Sequence, residues 1–115
     1  MLGIENTLNR GLQNEILKVM LLIHLSRHPG YPYALLKAVR SRRIWMLQGV
    51  VKSDLYNTMN SLEKQGFIKS KAILAGAVAR KNYALTPKGR KVVHASKKAM
   101  IRSFGEVAKM IREER

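Results

Sequence analysis

Cysteine is absent from this chain of 115 residues. That excludes a disulfide scaffold, a thiolate metal site and a cysteine nucleophile, and it fits a reducing cytoplasm. Carboxylates are also scarce, with 7 Asp and Glu in all. Asp54 is the only aspartate, and the sole adjacent acidic pair is Glu113 and Glu114 near the C-terminus. A general acid/base pair is therefore not evident, and the chain does not read as an enzyme. His24, His28 and His94 do not have metal-ligand spacing, because Pro29 follows His28 and takes it off the helix of His24. Glycine-rich phosphate loops are missing too, so no cofactor is expected. Long apolar runs are absent: the longest, Val19 to Ile23, is far shorter than a membrane span. The mixed, polar segment from Met1 to Arg10 lacks the pattern of a signal peptide.

What is present is apolar content and positive charge. Hydrophobic residues make up 46 % of the chain, enough for a small core, and the length fits one domain. The 22 Lys and Arg leave a net charge of +15. Between Glu63 and Glu106 there is no carboxylate, while Lys64, Lys69, Lys71, Arg80, Lys81, Lys88, Arg90, Lys91, Lys97, Lys98 and Arg102 fall in that stretch. A fold of this composition holds a positive field over one region and attracts polyanions.

Hydrophobic spacing gives the elements. Leu12, Ile16, Val19 and Ile23 form one helical stripe, and Leu17, Leu21 and Leu25 form a second beside it. A helix apolar on two sides packs against two partners. Pro29 and Gly30 stop it, and Pro32 opens a short second helix in which Tyr33, Leu36 and Val39 share a face. Residues 41–52 are open to two readings, an extension of that helix or a loop with a short strand near Val50 and Val51. Ser53 is expected to cap a third helix, with Leu55, Met59 and Leu62 on its buried face and Gly66 as a left-handed stop. Tyr56, Asn57, Asn60, Ser61 and Lys64 fall opposite. Two extended runs follow, Ile68 to Leu74 and Lys81 to Leu85, around a small-residue loop at 75–79 with Arg80 at its tip. Thr86 and Pro87 then start a long helix in which Val93, Ser96, Met100, Phe104, Val107 and Ile111 recur every three or four residues, weakened somewhat by Gly89 and Gly105. The fold class is mainly α with a small β-hairpin, an α+β winged helix-turn-helix. Residues 1–86 form the winged unit with an N-terminal arm, and residues 87–115 form a C-terminal dimerisation helix of the same single domain.

Three blocks carry a resemblance to a known family. Arg10-Gly11-Leu12 through Leu25, with Pro29 and Tyr33-Ala34-Leu35-Leu36-Lys37, is the first. Ser53-Asp54-Leu55-Tyr56 through Leu62-Glu63-Lys64-Gln65-Gly66-Phe67-Ile68 is the second. Arg80-Lys81-Asn82-Tyr83-Ala84-Leu85-Thr86-Pro87-Lys88-Gly89-Arg90 is the third. In this order they resemble the short branch of the PadR family of transcriptional regulators, although Pro32 stands where that family prefers glycine. The resemblance implies a wing that touches the minor groove or backbone, two-fold symmetric DNA sites, mostly repression, and release by small planar or phenolic compounds.

The residues themselves suit DNA. An amide side chain matches the N6 and N7 edge of adenine in the major groove, so Asn57 and Asn60 are candidate base readers, with Tyr56 and Ser61 bonding base or phosphate. Lys52, Ser53, Lys64, Lys69, Lys71, Arg80 and Lys81 are candidates for phosphate contacts, which position without specifying. Arg40, Arg42 and Arg43 reach the backbone or solvate the end of the second helix. Met100, Phe104, Val107 and Ile111, with Leu12 and Ile16 and the arm residues Leu2, Ile4 and Leu8, form an apolar surface that a homodimer would cover. Trp45 fills the core or lines an effector pocket. Two further readings stay open: a winged helix used for RNA, protein partners or non-specific architectural DNA binding, and a basic amphipathic last helix on an anionic membrane.

Overall fold

A computed structural model describes residues 3–30, 33–42, 47 and 49–114, with the side chains of residues 3–10, 39, 75, 78 and 79 outside that description. Helix α1 spans Gly3–Arg27 and is the central element, packed against the third and fourth helices and the second strand. Its two apolar stripes have different fates. Leu17, Leu21 and Leu25, joined by Leu22, are buried, whereas Leu12 is 44 % exposed and Ile16, Val19 and Ile23 are only partly covered. Residues 3–10 continue the helix rather than forming a separate arm.

Helix α2 spans Tyr33–Arg42 and buries Leu35 and Leu36, while Tyr33 stays 38 % exposed. Of the ambiguous segment, 43–46 and 48, and with them Trp45, lie outside the described residues, as does Pro32. Leu47 and Val50 are buried, and the Val50 N–H donates to the Leu47 carbonyl at 3.3 Å, a turn that brings the chain back to the core. There is no strand at Val50 and Val51: Val51 is exposed and caps the next helix.

Helix α3 spans Lys52–Lys64 and buries Leu55, Thr58, Met59 and Leu62. Its end is fixed by Gly66 at φ +81°, where the Gly66 N–H donates to Glu63 O and the Phe67 N–H to Leu62 O, both at 3.0 Å. That is the Schellman arrangement, which glycine adopts without steric cost. Strands β1 (Ile68–Ala75) and β2 (Val78–Leu85) pair antiparallel from Ile68 opposite Leu85 to Ala75 opposite Val78. The expected five-residue loop is thus a two-residue turn at Gly76 and Ala77. On its other edge β2 takes a bridge from Gly30, whose N–H and carbonyl exchange bonds of 2.8 and 2.7 Å with Tyr83.

Helix α4 spans Pro87–Glu113. Thr86 is its N-cap: the hydroxyl accepts from Gly89 N–H at 3.1 Å and donates to the Gly66 carbonyl at 2.6 Å. Lys88 Nζ donates to Gln65 O at 2.8 Å and lies 4.7 Å from the centre of the Phe67 ring. Gly89 does more than weaken the helix. A Cβ there would stand 2.0 Å from the Phe67 carbonyl oxygen, so the close approach of α4 to the α3–β1 corner requires glycine. Beyond Val93 the helix leaves the core. The chain extends 58 Å along its long axis with a radius of gyration of 15.9 Å, against about 13 Å for a compact domain of this length.

Candidate nucleic-acid interface

Helix α3 starts two residues before the sequence suggests. Val51, not Ser53, is the N-cap, and the Asp54 carboxylate reaches back to accept the Val51 N–H at 2.8 Å. The three-residue reach that a capping box needs is met by Asp54, and its charge suits the positive end of the helix. Ser53 is therefore in the first turn, exposed, beside Lys52.

The buried residues of α3 decide which side chains face outward. Ser53, Asn57, Asn60 and Lys64 lie at helical spacing on one stripe and are all exposed. Three of the four are neutral hydrogen-bonding groups. Two other candidates stand apart from them. Tyr56 is half-buried against the core, with the Lys52 ammonium 5.8 Å from its ring centre. Ser61 is half-buried on the flank toward α1, where it lines a polar cleft of about 380 Å³ with Asn14, Glu15, Lys18, Asp54 and Asn57. Thr58, which the sequence pattern missed, is buried and satisfied by donating to the Asp54 carbonyl at 2.8 Å.

Near the start of α3 lies a cation–aromatic group that sequence reasoning did not assemble. Lys52 Nζ is 5.7 Å and Lys37 Nζ 5.8 Å from the Tyr33 ring centre. The i, i+4 spacing of Tyr33 and Lys37 on α2 was the available signal; their meeting with α3 is tertiary.

The hairpin register sorts the wing cations. Ser70 Oγ donates to Glu63 Oε2 of α3 at 2.6 Å, which fixes the side of the hairpin that faces α3. Strand alternation puts Ala72, Leu74 and Lys81 on that side, and Lys69, Lys71, Ile73, Arg80 and Asn82 on the other. Arg80 pairs with Ile73, three residues in from the turn on its strand, and so is not at the tip. Lys81 is the wing cation that shares a side with α3. Leu74, 80 % exposed, sits near the tip on the same side and was not singled out from the sequence.

Charge in this region is open to partners. Among the described residues the one ion pair is Lys18 with Glu15, at 3.6 Å. His24 and His28 have ring centres 5.3 Å apart, and burial first, then the neighbouring His28, lowers the His24 pKa below its usual value. Among the described residues no three His, Asp or Glu side chains group as metal ligands would.

Residues 21–95 match the Transcriptional regulator PadR-like family. The chain belongs to that family. Solved structures agree with the assignment. A PadR family transcriptional regulator from Eggerthella lenta is 28 % identical, with a TM-score of 0.71, over 94 % of this chain and 92 % of that one. A PadR family transcription regulator from Clostridium difficile superposes with a TM-score of 0.65 at 23 % identity, over 83 % of this chain and 96 % of that one. Bacillus subtilis PadR, solved in complex with operator DNA, has a TM-score of 0.61 at 18 % identity, over 81 % of this chain and 59 % of that longer chain. A search of curated proteins finds no sequence match. PadR membership makes the chain a transcriptional regulator with a winged-helix fold, not an enzyme. Among the described residues no helix is long and apolar enough to cross a membrane.

Proposed function

We propose that the chain is a homodimeric, sequence-reading DNA-binding repressor that works in the cytoplasm. The observation that carries this reading is the exposed stripe Ser53, Asn57, Asn60 and Lys64 on α3, backed by the buried Leu55, Met59 and Leu62. A rigid helix with an amide-rich outer face fits the major groove, where amides read adenine edges. Asn57 and Asn60 read bases, and Ser61 and Tyr56 contribute from the flanks. Lys52, Ser53, Lys64 and Lys81 hold phosphates on the α3 side. Lys69, Lys71 and Arg80 do so from the outer face of the wing. The operator-bound structure of Bacillus subtilis PadR, similar in fold, supports DNA as the partner.

Dimerisation rests on a second observation. Phe104, Val107 and Ile111 are 44, 50 and 68 % exposed on one face of α4, Met100 is half-covered, and Leu12 of α1 is 44 % exposed. Pairing these faces between two copies, with Ile16 at the edge, covers an apolar surface that water disfavours. Residues 1–86 then act as the DNA-binding unit and 87–115 as the dimerisation helix, giving two α3 helices for a two-fold symmetric site. A small molecule that bound the free dimer more tightly than the bound one would release the DNA.

The test is binding to the intergenic DNA upstream of the protein's own gene against random duplex at two salt concentrations. A specific excess of about a thousandfold that survives higher salt is expected. Equal affinity for both duplexes, collapsing with salt, would instead favour the architectural reading.

A further inference from the structure

Helix α4 has a second face that neither the core nor the apolar stripe uses. At 100° per residue, Lys91, Lys98, Arg102 and Lys109 fall within about 40° of one another, on the side of the helix opposite Val93 and Phe104. All four are exposed. Among the described residues none has a carboxylate within ion-pair distance. Exposed His94 and Arg112 border the stripe on one side. From Pro87 to Gly105 the helix has no carboxylate, and Glu106 and Glu113 flank only the distal end.

We infer that this face is a second phosphate-binding surface, which takes the backbone of a duplex DNA segment other than the one held by α3 and the wing. Charge complementarity carries the argument. From Lys91 to Lys109 the stripe runs about 27 Å along the helix axis, the length of roughly eight base pairs of duplex. Within that arc every long side chain from Lys91 to Lys109 is cationic, and the exposed apolar Ile101 and Met110 stand about 60° or more to either side, so the stripe itself attracts a regular polyanion. The placement keeps it free. Gly89 and Val93 hold the opposite side of the helix to the core, and a partner copy on Phe104, Val107 and Ile111 would cover that same side. The α3 stripe belongs to another helix with its own buried face, so the two surfaces are distinct. The inference shares with the proposed function the assumption that duplex DNA is the polyanion; it does not require sequence reading.

A sandwich-capture assay tests it. The protein is loaded at low salt on a long immobilised duplex of random sequence and challenged with a labelled second duplex, the signal being normalised to retained protein. The native chain captures the second duplex. Lys98→Gln/Arg102→Gln/Lys109→Gln loses that capture, and the salt slope of the second binding event falls by about 2–3. Preference for upstream over random DNA in the first event stays as in the native chain. Equal circular dichroism spectra confirm that the substituted protein folds. No capture by the native chain, or full capture by the triple variant, overturns the inference. So does capture that is lost instead in Lys52→Gln/Lys81→Gln, because both duplexes would then sit on the two α3 faces of a dimer. Sequence preference without second capture would sink this inference alone, and second capture without sequence preference would sink the repressor reading alone.

Discussion

The two halves of α4 contrast sharply. From Pro87 to Val93 the helix is fastened: Thr86 caps it, Lys88 ties it to Gln65, and Gly89 and Val93 are buried. From Ile101 onward almost every side chain is exposed, including Ile101, Phe104, Val107, Met110 and Ile111. One continuous helix thus belongs to the domain at one end and projects apolar surface at the other. The difference teaches that hydrophobic periodicity marks a face to be covered without saying by what. In the proximal half the cover is the chain's own body; in the distal half we assign it to a second copy.

The strongest way to break this contrast is Phe104→Glu. Two phenyl groups leave the paired interface, at about 1.5–3 kcal/mol each, and two charges enter it. Sedimentation is expected to show a monomer whose helix content is unchanged; an unaltered dimer mass would remove this part of α4 from the interface. A glycine pair sharpens the comparison next. Gly89→Ala drives a methyl into the Phe67 carbonyl and should cost about 2–3 kcal/mol in urea unfolding, even after the better helix propensity of alanine. Gly105→Ala meets no atom within 4 Å and should stabilise by up to about 1 kcal/mol. The same substitution thus has opposite signs on the fastened and projecting halves.

The DNA face divides in a parallel way, into neutral readers on α3 and cations on the hairpin. Asn57→Ala or Asn60→Ala is expected to cost about 1–3 kcal/mol on the specific site and to relax base choice at one position. Lys81→Ala should weaken binding to all sequences alike and lower the salt slope by about one. Equal losses on specific and random duplex from both variants would erase the division. The smallest effect concerns His24. Its folded pKa lies below the unfolded value because burial and His28 disfavour the charged form. The unfolded chain therefore binds more protons, and stability rises with pH up to about 6.5, then flattens. Between pH 7 and pH 5 the melting temperature should fall slightly, and His24→Gln should remove that part of the slope; an unchanged slope in the variant would assign it elsewhere.

Much of this was legible in the chain because the signals are local. The stripe Leu55, Met59, Leu62 with Gly66 after it located α3, and Thr86-Pro87 located the start of α4, since caps and turns depend on neighbours a few residues apart. The misreadings have one origin. Ser53 was the better cap by residue type, but Asp54 reaching back to Val51 shifted the start, a choice made where the chain returns from Val50 in the core. Arg80 sits in the strand because pairing continues to Ala75 and Val78, and pairing length depends on a partner strand as well as on composition. A helical wheel also does not show that Ser61 and Tyr56 are half-buried, Ser61 on the flank toward α1 and Tyr56 against the core, while Asn57 and Asn60 are exposed.

The sequence by itself determined the order of elements, the family, the concentration of positive charge and the existence of two apolar stripes on α1, because periodicity, capping and composition act over short distances. Only the tertiary structure decided which α1 stripe is buried, that Lys81 rather than Lys69, Lys71 or Arg80 shares a side with α3, and that Gly89 is a contact point instead of a weak link. Each of these depends on which surfaces meet. That is set by the joint packing of residues far apart in the chain, where a two-ångström clearance or a one-residue register counts for more than any residue's own preference.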